Sequence, residues 1–316
     1  MTLVESIFSL HHIYYLNFAW GCLLRMKRQA VYFYLLPSLL FVIIIFLIPL
    51  IYATFTSFTK WSLLRPDLGI RFIGLRNYVN LFTDSFTWYS LKVTLLFVAG
   101  AVSIEIVLGL AFALALNTEF FGWKIVQSLY LVPFIIAPVV VGFIWKFILD
   151  NNFGLVPYII KFMGLGKTVE HFPLLANPKT ALLMLIIADI WEFTPVVMLI
   201  LLAGLKSLPS EPYEAATIDG ATPFKKFIYI TVPLLRPSIL VAAVLRTLTC
   251  LQVFDLIYIM TGGGPGRLTE TLSFFAYSQA FISYDVGLSS AANMFILFIA
   301  MIFTIIYMRV IGVEVE

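Results

Sequence analysis

Six apolar runs, each long enough to cross the roughly 30 Å hydrocarbon core of a bilayer, dominate this 316-residue chain. They fall at about 31–57, 92–116, 125–149, 181–204, 238–260 and 291–311. Within lipid every amide must find its hydrogen bond inside the protein, which leaves helix as the solution for separate runs. The predicted fold is therefore all-α, a polytopic membrane protein with six transmembrane helices over 31–311 and a leading segment over 1–30. Composition agrees: 61% of residues are hydrophobic and 12% charged, against about 45–50% and 25% for soluble domains. Pro37, Pro49, Pro133, Pro138 and Pro195 lie inside the runs. They are tolerated where neighbouring helices cover the freed carbonyls.

Several function classes drop out. A net charge of +3 gives no case for nucleic acid as a partner, and Cys22 and Cys250 are too few for a disulfide framework. His11, His12 and His171 do not form a metal site, since the first two are neighbours and diverge on a helix. No phosphate-binding loop, nucleophile elbow or zinc-protease helix motif occurs. A catalytic site, a metal site and a cofactor on this chain are not expected.

Six spans put both termini on one side. Arg25, Lys27 and Arg28 crowd the first span and mark that side as cytoplasmic. On this orientation the inner segments hold nine basic residues (25, 27, 28, 124, 206, 225, 226, 236, 309) and the outer loops eight (60, 65, 71, 76, 161, 167, 179, 267). The first-helix cluster decides. Residues 7–24 lack a basic leader and suit a helix lying in the interface, with Tyr14, Tyr15 and Trp20 at headgroup depth. They equally suit a frayed leader.

Between the fourth and fifth runs, residues 205–237 break the apolar pattern with a polar, Ala- and Gly-containing segment. Its local signals give a helix-turn-helix. Ser210 stands as cap before Glu211, Pro212 and Glu214, and Gly220 supplies a left-handed stop. Thr222-Pro223 then opens a second helix, with Phe224, Phe227, Ile228 and Val232 at helical spacing, ended by Pro233 and Pro237. The bland alternative is an amphipathic hairpin lying on the membrane, which a Lys-rich face would have favoured.

Glu214-Ala215-Ala216, Asp219-Gly220-Ala221, Ile230 and Pro233 match the "EAA" motif of binding-protein-dependent ABC importer permeases, which the chain thus resembles. Two further stretches are similar to the carbohydrate branch. One is Phe72-Ile73-Gly74-Leu75-Arg76-Asn77-Tyr78 with Leu81-Phe82. The other is Thr261-Gly262-Gly263-Gly264-Pro265 with Thr269 and Thr271, followed by Tyr284, Gly287, Ser289 and Ala291. The resemblance covers about 31–311 and extends to the six-span permeases of alginate importers. It implies a type I ABC importer permease fold in the bacterial inner membrane, with a cytoplasmic EAA loop that couples to separate ATPase subunits. ATP and magnesium would then sit on the ATPase. The implied partners are a second homologous permease, two ATPase subunits, an extracytoplasmic binding protein, membrane lipid and a sugar substrate. An acid at the position of Glu214 would salt-bridge the ATPase, and Gly220 would allow the tight turn.

Ionisable residues inside spans are costly and mark function by default. Glu105 lies in the second run, Asp189 and Glu192 in the fourth, and Arg246 and Asp255 in the fifth. Asp189 and Glu192 share a helix face. With Arg246, Asp255 and the flat ring of Trp191 they are candidates for the wall of a path for a hydroxyl-rich ligand. The bland alternative is that Asp189 or Glu192 simply pairs with Arg246 to hold helices together. A different class of function also stays open: an ion-coupled secondary transporter using Asp189 and Glu192 as ligands, which predicts internal repeats.

Overall fold

The computed structural model describes residues 28–118, 120–165 and 173–311. The leading segment predicted over 1–30 lies outside the described residues up to position 27. The chain divides into two units, Met1–Phe55 and Thr56–Glu316.

In the first unit, α1 (Arg28–Val42) runs through a π-helical turn (Ile43–Leu47) into α2 (Ile48–Ser57), whose last two residues, Thr56 and Ser57, belong to the second unit. Proline has no N–H, and its ring clashes with the carbonyl four residues back, so the widened turn just before Pro49 relieves both problems. Ser38 and Thr54 satisfy their hydroxyls on the carbonyls of Leu35 and Leu50, at 2.8 Å each, as lipid-embedded hydroxyls must.

The second unit opens with a hairpin of β1 (Thr59–Lys60) and β2 (Arg71–Phe72), then α3 (Arg76–Thr83). Asp84 caps α4 (Ser85–Leu116), accepting from the Phe86 amide at 3.1 Å. The third run is not one straight helix. α5 (Trp123–Tyr130) and α6 (Val132–Ile135) meet α7 (Pro138–Ile148) at 94°. Ile136 and Ala137 are extended at the break, because a residue before proline is pushed out of the helical region.

After α8 (Leu155–Ile160) comes α9 (Ala181–Lys206), which packs most extensively against α4. Then α10 (Glu211–Ile218) and α11 (Pro223–Lys226) form the polar elbow, followed by α12 (Val232–Leu251), α13 (Asp255–Met260), α14 (Leu272–Phe281) and α15 (Val286–Ile311).

Two expectations for this region need correction. Pro233 and Pro237 do not end the second elbow helix. A π turn over Phe227–Thr231 absorbs Pro233, with the Val232 amide bonding the Phe227 carbonyl, and helix continues through Pro237. The helix of the fifth run therefore ends at Leu251 and not at 260, and the helical stretch long and apolar enough to cross a membrane is Pro223–Leu251. The last stretch of the run is separated by a break at Gln252–Phe254 and forms α13.

The core follows from these pairings. Phe97, Val98 and Ala101 of α4 pack with Leu185 and Ala188 of α9 and with Leu256 and Ile257 of α13. Farther along, Ala113, Val197, Met198, Leu201 and Leu235 close the same bundle.

The two motif stretches that are farthest apart in sequence meet at one end. The Asn77 amide donates to the carbonyls of Ser57 and Thr59 at 2.9 and 2.8 Å, and Tyr78 bonds Ser57 Oγ at 2.8 Å. The amides of Leu63 and Val286 bond the carbonyls of Tyr284 and Trp61, both at 2.9 Å. Gly287 sits where a Cβ would lie 2.2 Å from the Thr59 carbonyl oxygen, so only glycine lets the strands and α15 close. The Thr261–Thr271 loop folds onto itself at the same end. Thr261 and Thr269 hydroxyls bond at 2.8 Å, and Thr269 donates to the Gly264 carbonyl at 2.7 Å. Arg267 forks onto the buried Glu270 carboxylate at 2.5 and 2.7 Å, which holds its guanidinium above its ordinary pKa. This loop docks on α4, where the Leu272 amide bonds Thr94 Oγ1 at 2.9 Å.

Candidate functional site

Two arrangements carry chemistry, and the same pair of helices joins them. The first is a buried charge cluster. From α12, Arg246 donates Nε to Glu105 Oε2 at 2.6 Å and Nη2 to Glu105 Oε1 at 2.8 Å, a bidentate grip on α4. The same Nη2 reaches Asp189 Oδ2 on α9 at 2.7 Å, and Nη1 reaches Thr249 Oγ1 at 2.7 Å. Cys250 adds its sulfur 3.2 Å from Nη2. The Phe193 ring covers the guanidinium, 3.8 Å from Cζ to the ring centroid. Glu105, Asp189 and Arg246 are all buried. In such a setting a charge must be paired and hydrogen-bonded to be tolerated.

Glu192 is different. It is 1% exposed and its Oε2 has no partner. It lines a cavity of about 110 Å³ together with Asp189, Arg246, Thr249, Gln252, Asp255, Phe254 and Pro138. The cavity forms where helix geometry fails twice: at the Ala137–Pro138 corner of the bent pair and at the Gln252–Phe254 break. Asp255 reaches it from the first turn of α13, past the break, rather than from inside the fifth span. Trp191 is only partly covered and meets Trp145 edge-on at 6.1 Å, outside the residues that line the cavity. The structure brings Asp189, Glu192, Arg246 and Asp255 to one cavity, while Trp191 stands apart. The residue that sequence reasoning left out of the site is Glu105, the main partner of Arg246. Its signal was present as the lone carboxylate in the second run, but a 141-residue separation hides such a pairing.

The second arrangement is the elbow. The first helix turns out to need no side-chain cap. Ser210 is already helical and makes no side-chain cap, which corrects the expectation, while its carbonyl accepts from Tyr213 and Glu214 at 3.0 and 3.1 Å. α10 ends as the glycine predicts. Gly220 has φ +72°, its amide bonds the Thr217 carbonyl at 3.1 Å, and the Ala221 amide bonds Ala216 at 2.9 Å. Thr222 caps α11 by accepting from the Lys225 amide at 3.4 Å. Cross-bonds stiffen the turn: Lys226 Nζ to Thr217 Oγ1 at 2.7 Å and Tyr213 OH to Thr231 Oγ1 at 3.0 Å.

Glu214, Ala215, Asp219 and Gly220 are exposed, while Ala216, Ala221, Ile230 and Pro233 are half-buried. Around the acids lie uncovered apolar side chains: Ile218 at 88% exposure, Tyr229 at 75% and Phe224 at 70%. Ile218 and Tyr229 were not singled out from the sequence. An isoleucine between an Ala pair and Asp-Gly is unremarkable until the turn projects it outward.

Comparison with known proteins follows the same lines. Residues 105–313 match the family model for the binding-protein-dependent transport system inner membrane component. The trehalose/maltose transport system permease protein MalF of Thermococcus litoralis is 38% identical over 291 residues, covering 91% of this chain and 95% of that protein. The sulfoquinovosyl glycerol transport system permease protein SmoG of Agrobacterium fabrum is 34% identical over 282 residues, 88% of each chain. Among solved structures, a bacterial ABC transporter involved in the import of the acidic polysaccharide alginate superposes with a TM-score of 0.77 at 22% identity, covering 94% of this chain and 99% of that one. That likeness is one of fold. The protein belongs to the family of inner membrane components of binding-protein-dependent transport systems, the permeases of ABC importers.

Proposed function

We propose that this chain forms half of the translocation path for a sugar or oligosaccharide and is driven through its elbow by separate ATPase subunits. The observation that carries the reading is a shared mechanical element. α9 and α12 flank the elbow, and they are the helices that carry Asp189, Glu192 and Arg246 into the cavity. A displacement applied at Glu214–Gly220 therefore reaches the charge cluster through α9 and, by way of α11 and the Phe227–Thr231 π turn, through α12. The exposed mix of carboxylates and apolar side chains on the elbow suits burial in a protein cleft. There an ion pair at Glu214 would be worth more than the about 0–1 kcal/mol of a surface pair.

On this reading the elbow and both termini face the cytoplasm, and the 58–84 and 261–271 loops face outward, where a binding protein delivers substrate. A second permease completes the path, and two ATPase subunits supply ATP and magnesium. The printed names of the relatives, trehalose/maltose and sulfoquinovosyl glycerol, suggest a glycoside. The cavity's charge argues for a neutral one. Arg246, the one cation among the described residues lining the cavity, is committed to Glu105 and Asp189, so no free cation is left among them to bind a uronate, and the unpartnered Glu192 Oε2 is left to bond a sugar hydroxyl. The ion-coupled alternative draws no support from relatives that are ABC permeases.

The test is uptake by the assembled transporter carrying Glu214→Ala or Gly220→Leu. ATP hydrolysis should continue while sugar uptake falls by about tenfold or more, the equivalent of losing one coupling contact of about 1.4 kcal/mol. Uptake at the unaltered rate in both variants would remove the elbow from the mechanism.

A further inference from the structure

Outside the cavity, α13 and α14 present aromatic residues to each other at helical spacing: Phe254 and Tyr258 on one side, Phe274, Tyr277 and Phe281 on the other. The rings form a continuous series. Phe281 stacks on Tyr277 at 5.0 Å and 30°, Tyr277 lies 4.7 Å from Phe254, and Phe254 stacks on Tyr258 at 5.4 Å and 25°. Phe274 is buried beneath them, 6.1 Å from Phe254 and nearly parallel. Tyr258 is 48% exposed and Phe281 63% exposed, so the series keeps open faces. Its inner end is not a dead end: Phe254 is itself part of the cavity wall, beside Glu192, Gln252 and Asp255.

An interfacial aromatic belt places single rings around a protein at headgroup depth. It does not require five rings in mutual contact leading to a buried carboxylate. A lipid chain would meet apolar faces but has no use for tyrosine hydroxyls or for the polar cavity beyond. A pyranose has both an apolar ring face and a hydroxyl rim, which is what stacked Tyr and Phe rings ending at acceptor side chains complement. We infer that Phe281, Tyr277, Tyr258 and Phe254 form a ladder on which successive residues of a neutral oligosaccharide stack as its leading ring enters the Glu192 cavity. This rests on the sugar-transport reading and adds to it a preference for chains over disaccharides.

The experiment uses the complete transporter, with its binding protein, in proteoliposomes and radiolabelled trehalose and maltoheptaose as probes. Tyr277→Ala and Phe281→Ala should each raise the apparent KM for maltoheptaose by about fivefold or more, the size of a lost stacking contact, and that for trehalose by less than about twofold. Phe281→Trp, which keeps a flat ring, should match the unaltered protein. All variants should elute as intact complexes on size exclusion.

An unchanged maltoheptaose KM in both alanine variants, or an equal rise for both sugars, overturns the ladder. So does dissociation of the complex, which would make these rings a subunit contact. An unaltered transporter that takes up trehalose but not maltoheptaose overturns the ladder while leaving the sugar-transport reading intact. Uptake of neither sugar overturns the ladder, and a complete transporter whose ATP hydrolysis no glycoside stimulates overturns the sugar-transport reading as well.

Discussion

Arg246 and Glu192 sit in the same cavity and obey opposite rules. Arg246 holds two carboxylates in place, so its removal leaves Glu105 and Asp189 buried without a countercharge. Arg246→Ala should destabilise the folded transporter by about 3–5 kcal/mol, read as a lower denaturation midpoint in detergent. Glu192 Oε2 has no partner to lose. Glu192→Gln should leave the folded transporter at least as stable, because it replaces an unpartnered buried carboxyl with a neutral amide, while impairing uptake through the sugar contact proposed for Oε2. Equal losses of stability in the two variants would mean that Glu192 is a structural residue. The sequence predicted that these charges face inward, since a charge turned to lipid is costly. It did not show which carboxylate Arg246 would choose. That depends on how α4 slides against α9 and α12, and on the fork geometry that only Glu105 matches.

Among the elements, the elbow was the most legible in the sequence. Its acids, glycine and Thr-Pro each act locally, through dipole, left-handed turn and cap; Gly220 and Thr222 behave as those rules say, whereas the Ser210 cap and the stop at Pro233 and Pro237 do not form. Helix interruptions were less legible. Proline was visible at 49, 138 and 233, yet the structure answers it in two ways. A π turn absorbs Pro49 and Pro233, whereas the extended Ile136–Ala137 pair turns Pro138 into a 94° corner. Packing on the far side of each proline decides between these, and local sequence does not encode it.

The clasp at the opposite end was visible only as motifs. Their meaning appears when Gly287 is found against the Thr59 carbonyl, at 2.2 Å from where a Cβ would stand. Gly287→Ala should push α15 off the hairpin at a cost of about 1–3 kcal/mol. Hydrogen exchange should then accelerate at the Val286 and Leu63 amides, which bond across the clasp, while α9 amides keep their protection. Unchanged exchange at Val286 would show that the clasp yields elsewhere.

At the scale of the whole molecule, the charge cluster and the elbow form one lever: α9 carries Asp189 and Glu192 and ends at Lys206, shortly before α10 opens, and α12, which carries Arg246, continues α11 through the Phe227–Thr231 π turn. The account stands or falls on what touches the elbow. The most direct measurement is labelling of Ile218→Cys, in a Cys22→Ser background, with a membrane-impermeant maleimide. Ile218 is chosen because it is 88% exposed and lies between the Ala pair and Gly220. The account predicts no labelling in intact cells, rapid labelling in inside-out vesicles stripped of the ATPase, and protection when the ATPase is restored. Labelling from outside intact cells, or labelling that the ATPase leaves unchanged, would contradict it.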